Sequence, residues 1–154
     1  MEFSAKEDIE APIEQVFAVI TDFDAVERQA LRRGIKVTRT HDAGNEVGTE
    51  WSAGFKFRGK EMSADIRLAE RNAPELVVFA AKAGGLDTGM SVDLTALSPR
   101  RTRMTVTAQM QPKTLSARLL VQSLKLAKGR VTRKFSVRVA QYAKSIEERA
   151  RASS

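Results

Sequence analysis

A chain of 154 residues, 42% apolar and 29% charged, has the balance of a globular domain and the length to bury a core, which excludes a disordered or fibrous protein. It has no cysteine, so disulfides, thiolate nucleophiles and Cys-ligated zinc are excluded. The net charge of +7 is unevenly placed: residues 1–112 carry 15 Lys+Arg and 17 Asp+Glu, whereas residues 113–154 carry 11 and 2, so an electrostatic partner would meet the C-terminal segment.

Phe3, Ala5 and Ile9 alternate with polar residues and predict a first strand. Pro12 opens a helix whose apolar stripe is Ile13, Val16, Phe17 and Ile20, with Glu14 at the positive end of its dipole. Asp22 or Asp24 can cap a second short helix that Gly34 ends. Ile35 and Val37 begin a strand-rich stretch. Asp42-Ala43-Gly44-Asn45 is a turn, after which Val47, Thr49, Trp51, Ala53, Phe55 and Phe57 share one face. Met62, Ala64, Ile66 and Leu68 continue the alternation, Leu76 to Ala81 is a short apolar strand, and Ala83 to Gly89 reads as a flexible Gly-rich loop. Met90, Val92 and Leu94, then Met104, Val106, Ala108 and Met110, make the last two strands.

After Pro112 the period changes from 2 to about 3.6. Leu120, Leu124, Ala127, Val131, Phe135, Val139, Tyr142 and Ile146 form one stripe on a helix of roughly 35 residues, about 50 Å long if unbroken, with Gly129 as its point of bending. The predicted fold is α+β: a curved antiparallel sheet of about seven strands around a long C-terminal helix, with two short helices after strand 1, in a single domain over residues 1–154. The N-terminus has no basic and apolar leader, and no apolar run approaches the roughly 20 residues of a membrane span, so a cytoplasmic protein is expected.

The passage Ala11-Pro12-Ile13-Glu14-Gln15-Val16-Phe17-Ala18-Val19-Ile20-Thr21-Asp22-Phe23-Asp24, together with this element order, resembles the START-like or Bet v 1-like superfamily (SRPBCC; polyketide cyclase/dehydrase and lipid transport). The resemblance covers essentially the whole chain. It implies a helix-grip fold with a cavity between sheet and helix. Its members bind lipids, sterols, polyketides, quinones or hormones; some are cyclases and some cochaperones. The passage marks the fold and not a reaction.

On that fold the face of Trp51, Phe55 and Phe57 is both the core face and the cavity face, so core packing and ligand contact are both open to them, and the adaptable thioethers of Met62, Met90, Met104 and Met110 share it, with core filling the other reading. With Phe79, Leu120, Leu124, Val131 and Phe135 they are the expected lining of a site for a lipid-, quinone- or polyketide-like molecule. Tyr142 lies on the helix stripe and could donate to a ligand carbonyl.

His41, the sole histidine, sits beside a turn and reads as a solvated strand end. Glu50, Glu61, Asp65 and Arg67 fall on the polar face of their strands and would turn inward only if the register slipped by one. No catalytic constellation, metal site or cofactor motif is legible, which favours a binding protein over an enzyme. A cyclase or dehydratase using the same cavity is the alternative. Lys125, Lys128, Arg130, Arg133, Lys134 and Arg138 cluster on the long helix and would suit an anionic membrane surface. The same charge would attract RNA, a ribosome or an acidic protein, although no nucleic-acid motif accompanies it.

Overall fold

Alternating strands joined by tight turns build an antiparallel sheet, and the long amphipathic segment that follows must bury its stripe against it. The structure is a computed structural model that describes residues 1–153. Its strands are β1 (Glu2–Ile9), β2 (Lys36–His41), β3 (Glu50–Phe57), β4 (Lys60–Asn72), β5 (Leu76–Ala83), β6 (Leu86–Ser98) and β7 (Arg101–Pro112). They form one antiparallel sheet in the order β1-β7-β6-β5-β4-β3-β2. Helices α1 (Ile13–Ile20) and α2 (Phe23–Arg32) follow β1, and α3 (Leu115–Leu126) and α4 (Lys128–Ser153) follow β7. This is the helix-grip arrangement. No helix among the described residues is long and apolar enough to cross a membrane.

The cross-strand register sorts the helix-facing residues into rows. Val77, Val92, Val106 and Ala5 lie opposite one another; Leu68, Phe79, Met90, Ala108 and Phe3 form a second row; Trp51, Ile66, Ala81, Thr88 and Met110 form a third. Two hairpins, at Arg58-Gly59 and Gly84-Gly85, turn on two residues of positive φ, the shape that matches the strand twist. The second is tighter than the flexible loop expected from its glycines. A Cβ on Gly85 would fall on the side chain of Thr114, and the Lys113 amide donates to the Gly85 carbonyl at 2.8 Å. Thr114 is itself the N-cap of α3, accepting from the Ala117 amide at 3.2 Å.

Asp22 caps α2 by accepting from the Ala25 amide at 3.2 Å. Beside it the buried Phe23 ring meets Trp51 edge-on at 5.1 Å and Phe79 at 6.2 Å, an aromatic cluster that joins α2 to the sheet. Arg39, on the helix-facing side of β2, donates to Asp24 at 2.8 Å and Glu27 at 2.6 Å on α2.

Three local expectations change. The C-terminal segment is not one helix: α3 ends at Ala127 (φ −104°, ψ 22°), and α4 starts at the next residue. The break lies two residues before Gly129. It has a packing cause, since α3 lies against β7 while α4 runs along β1 and α1. Val47 is not on the sheet face but in the connection before β3, and it is exposed. Thr49 is fully buried there because its hydroxyl donates to the Glu46 carbonyl at 2.8 Å and accepts from the Ala43 amide at 3.2 Å.

Asp8 accepts from Arg103 at 2.9 Å across β1 and β7, and that guanidinium holds its carboxyl below the ordinary value of 3.8. A carboxylate with a lowered folded pKa stabilises fully above 3.8 and loses its contribution as pH falls from there through the lowered value. Asp8→Asn is therefore expected to shift a neutral-pH denaturant midpoint downward and to flatten the loss of stability in acid. Arg39→Ala leaves the carboxylates of Asp24 and Glu27 without their partner. It should cost about 1–2 kcal/mol in urea unfolding at pH 7.

Candidate ligand basin and basic surfaces

A residue in the middle of a sheet, on the side turned toward the helices, is normally covered. Part of this sheet is. Val77, Val92, Leu94, Met104 and Val106 are buried together with Val16, Phe17 and Ile20 of α1 and Val139, Ala143 and Ile146 of α4. The rest is not. Met90 shares the inner face of β6 with the buried Val92 and Leu94, yet 42% of its surface is open. Phe79, Ala81, Thr88, Ile66 and Met110, its neighbours in the second and third rows, are only half-buried. The helix-facing side thus has a closed half and an open apolar basin centred on β5 and β6.

The structure distributes the expected lining residues over both halves. Phe55, Phe57, Met62, Phe79 and Met110 on the strands, and Leu120, Val131 and Phe135 on the helices, are half-buried, with Met90 the most open. Trp51, Met104 and Leu124 are buried: Trp51 against Phe23, Met104 in the main core, Leu124 on the inner side of α3. Phe135 lies 6.0 Å from the Phe3 ring.

At the sheet end a pocket of about 560 Å³ opens between the β3–β4 hairpin, the β5–β6 turn and the first turns of α3. Its apolar lining is Phe57, Met62, Gly84, Ala117 and Leu120. Arg58 spans from the hairpin to α3, donating to the Ser123 hydroxyl at 3.2 Å.

Polar groups on the helix-facing side are few. Thr88 donates to the Ala81 carbonyl at 3.2 Å. Tyr142 packs against the core, and burial pushes its hydroxyl up to about 12. Glu7 shares the inner side of β1 with Phe3, Ala5 and Ile9 and is half-buried. Reading β1 by its apolar residues alone passes over this carboxylate. Sequence reasoning also missed Arg39, whose role depends on α2 folding back over β2. Glu50, Glu61, Asp65 and Arg67 are exposed on the opposite side of the sheet. There Glu50, Asp65, Arg67, Lys82 and Asp87 edge a pocket of about 520 Å³. His41 is exposed at the end of β2. No cluster of three metal-ligating side chains occurs among the described residues. The arrangement leaves an apolar stretch of the inner sheet face open to an apolar molecule.

The six cations of the long segment, Lys125, Lys128, Arg130, Arg133, Lys134 and Arg138, are all exposed, and none is ion-paired among the described residues. Four of them, Arg130, Arg133, Lys134 and Arg138, join Arg33 from the end of α2 around an open groove of about 770 Å³.

No family model and no curated protein sequence matches the chain. Solved structures do match it along nearly its whole length. The Zhui aromatase/cyclase of Streptomyces sp. R1128 is 14% identical with a TM-score of 0.70, over 99% of this chain and 97% of that one. Norcoclaurine synthase from Thalictrum flavum is 13% identical with a TM-score of 0.69, over 96% and 84%. The protein TTHA0849 from Thermus thermophilus is 17% identical with a TM-score of 0.68, over 100% and 99%. At these identities the likeness is one of fold, and the fold is that of the START-like and Bet v 1-like proteins.

Tyr142 is the sole tyrosine, so the phenolate absorbance of the folded protein reports it alone. Its band is expected to stay absent as pH passes 10 and to rise only near 12 or on unfolding. The folded state then holds a proton that the unfolded state has lost, so stability should fall as pH rises from 10 toward 12, and Tyr142→Phe should remove that slope.

Proposed function

We propose that this protein binds a hydrophobic small molecule of the lipid, quinone or polyketide type in the basin over β5 and β6, with the end pocket as its mouth. The single observation that carries the reading is the exposure of Met90 on an otherwise core-facing strand surface. Water against a face of Met, Phe and Ala is unfavourable by roughly 25 cal/mol per Å², so an apolar molecule that displaces it gains that term without rebuilding the protein. Methionines add a lining that adapts to irregular shapes. The likeness to an aromatase/cyclase and to a norcoclaurine synthase is compatible with a cavity protein of this kind.

A cyclase-type reaction is the second reading, and what favours it is Glu7, an inward-placed carboxylate within the same fold. Catalysis would need that group within hydrogen-bond reach of the bound molecule. In either reading Phe79 and Met90 are the floor of the site and Phe55, Phe57, Met62, Met110, Leu120, Val131 and Phe135 its walls, while Trp51 and Met104 support it from the closed core.

Native mass spectrometry of the purified protein, followed by solvent extraction, is expected to release an apolar adduct. A fluorescent apolar probe should bind the emptied protein and be displaced by that extract. Met90→Lys, which places a charge in the basin at a position already open to water, should weaken probe binding at least about tenfold with little change in thermal melting. An adduct-free protein that also fails to bind the probe would sink the reading. So would a Met90→Lys protein with unchanged affinity.

A further inference from the structure

We propose that α3 is an interfacial docking helix that lies flat on an anionic lipid bilayer. Leu115, Leu119 and Leu126 would sit at the acyl boundary, with basic side chains beside them on the phosphate headgroups.

The argument starts from the two apolar sides of α3. Ala117, Val121 and Leu124 are buried and face the protein. Leu115, Leu119 and Leu126 are 74%, 59% and 93% exposed. At 3.6 residues per turn these three project within an arc of about 40°, on the side opposite the buried residues. Single exposed leucines are ordinary on a protein surface, but three on one side of a three-turn helix, interrupted only by Gln122, form a stripe that folding does not use.

Charge decides what the stripe fits. From Lys113 to Ile146 there are nine Lys+Arg and no Asp or Glu. Arg118 and Lys125 each precede a stripe leucine, and Lys128 and Arg130 follow just past the break at Ala127. A second copy of the chain would bring the same cations to the same face and repel. A polyanion such as RNA would use the cations but leave the leucines in water, and α3 carries no aromatic ring on which a base could stack. Apolar stripe, basic flanks and modest overall hydrophobicity together are what the interface of an anionic bilayer takes.

The same helix contributes Ala117 and Leu120 to the end pocket. Docking on α3 would therefore bring that pocket to the lipid surface. This consequence rests on the ligand-binding reading; the docking itself does not.

Flotation of the full chain with vesicles tests it. The protein should float with phosphatidylcholine vesicles holding about a quarter phosphatidylglycerol, and not with phosphatidylcholine alone. The triple variant Leu115→Ser, Leu119→Ser, Leu126→Ser should lower partitioning about a hundredfold while thermal melting and apolar-probe binding in solution stay unchanged. Met90→Lys should do the reverse, keeping flotation and losing the probe, so docking and ligand binding fail separately. In Leu119→Trp the new indole should shift its emission to the blue on adding anionic vesicles. Failure of the parent protein to float with anionic vesicles overturns the proposal. It is equally overturned if the serine variant floats like the parent while Lys125→Gln, Lys128→Gln, Arg130→Gln does not, because the surface is then electrostatic only. Sedimentation showing a dimer that the serine variant dissolves would overturn it too, by assigning the stripe to a second copy.

Discussion

A seven-stranded sheet offers more apolar face than the helices of this chain can cover. With strands about 4.8 Å apart the sheet is about 29 Å across, whereas a helix with its side chains is about 10–12 Å wide. Cover is therefore selective. α4 runs along β1, α1 reaches β6 and β7, α2 sits over β2, and α3 lies against β7. The strands between these contacts keep part of their inner face open, and the open basin at Phe79, Ala81 and Met90 follows from that geometry. The gap is held open from both sides.

Two rigid abutments hold it. On one side the Phe23, Trp51 and Phe79 rings meet edge-on or tilted, so α2 is set against β3 and β5 at a fixed distance. The guanidinium of Arg39 ties the polar side of α2 to β2. On the other side Ile146, fully buried, and Val139 fix α4 against α1 and β1, and Arg149 reaches the Val19 carbonyl at 3.5 Å. A well-packed frame with an unfilled middle costs stability, since apolar surface is left in water. A frame built in this way suits a site that must accept something.

Periodicity made the strands legible, because a two-residue repeat with one buried face leaves little choice of register. Asp22 and Asp24 were both legible as caps, and the fold selects Asp22, which fixes the first turn of α2 and so aims Phe23 at Trp51. Other features were not legible for a common reason, that they depend on residues far apart in sequence. The break at Ala127 carries no Pro and sits in an unbroken stripe; only the different partners of α3 and α4 require it. The 3.6 period did place Leu124 on the buried side of α3, but it gave no reason for Leu115, Leu119 and Leu126, as apolar as Leu124, to lie on the outer side. Nor does alternation say which inward residues meet a helix, so Met104 and Met90 look alike in the sequence and end up closed and open.

The contact of Gly85 with Thr114 reaches beyond the local turn. It joins the tip of the β5–β6 hairpin to the first residue of the α3 cap, and the Lys113 amide bond doubles the joint. The hairpin and the helix thus meet in one joint at the sheet end. A shift of α3 that kept this joint would carry with it the tip of the two strands that bear Phe79 and Met90.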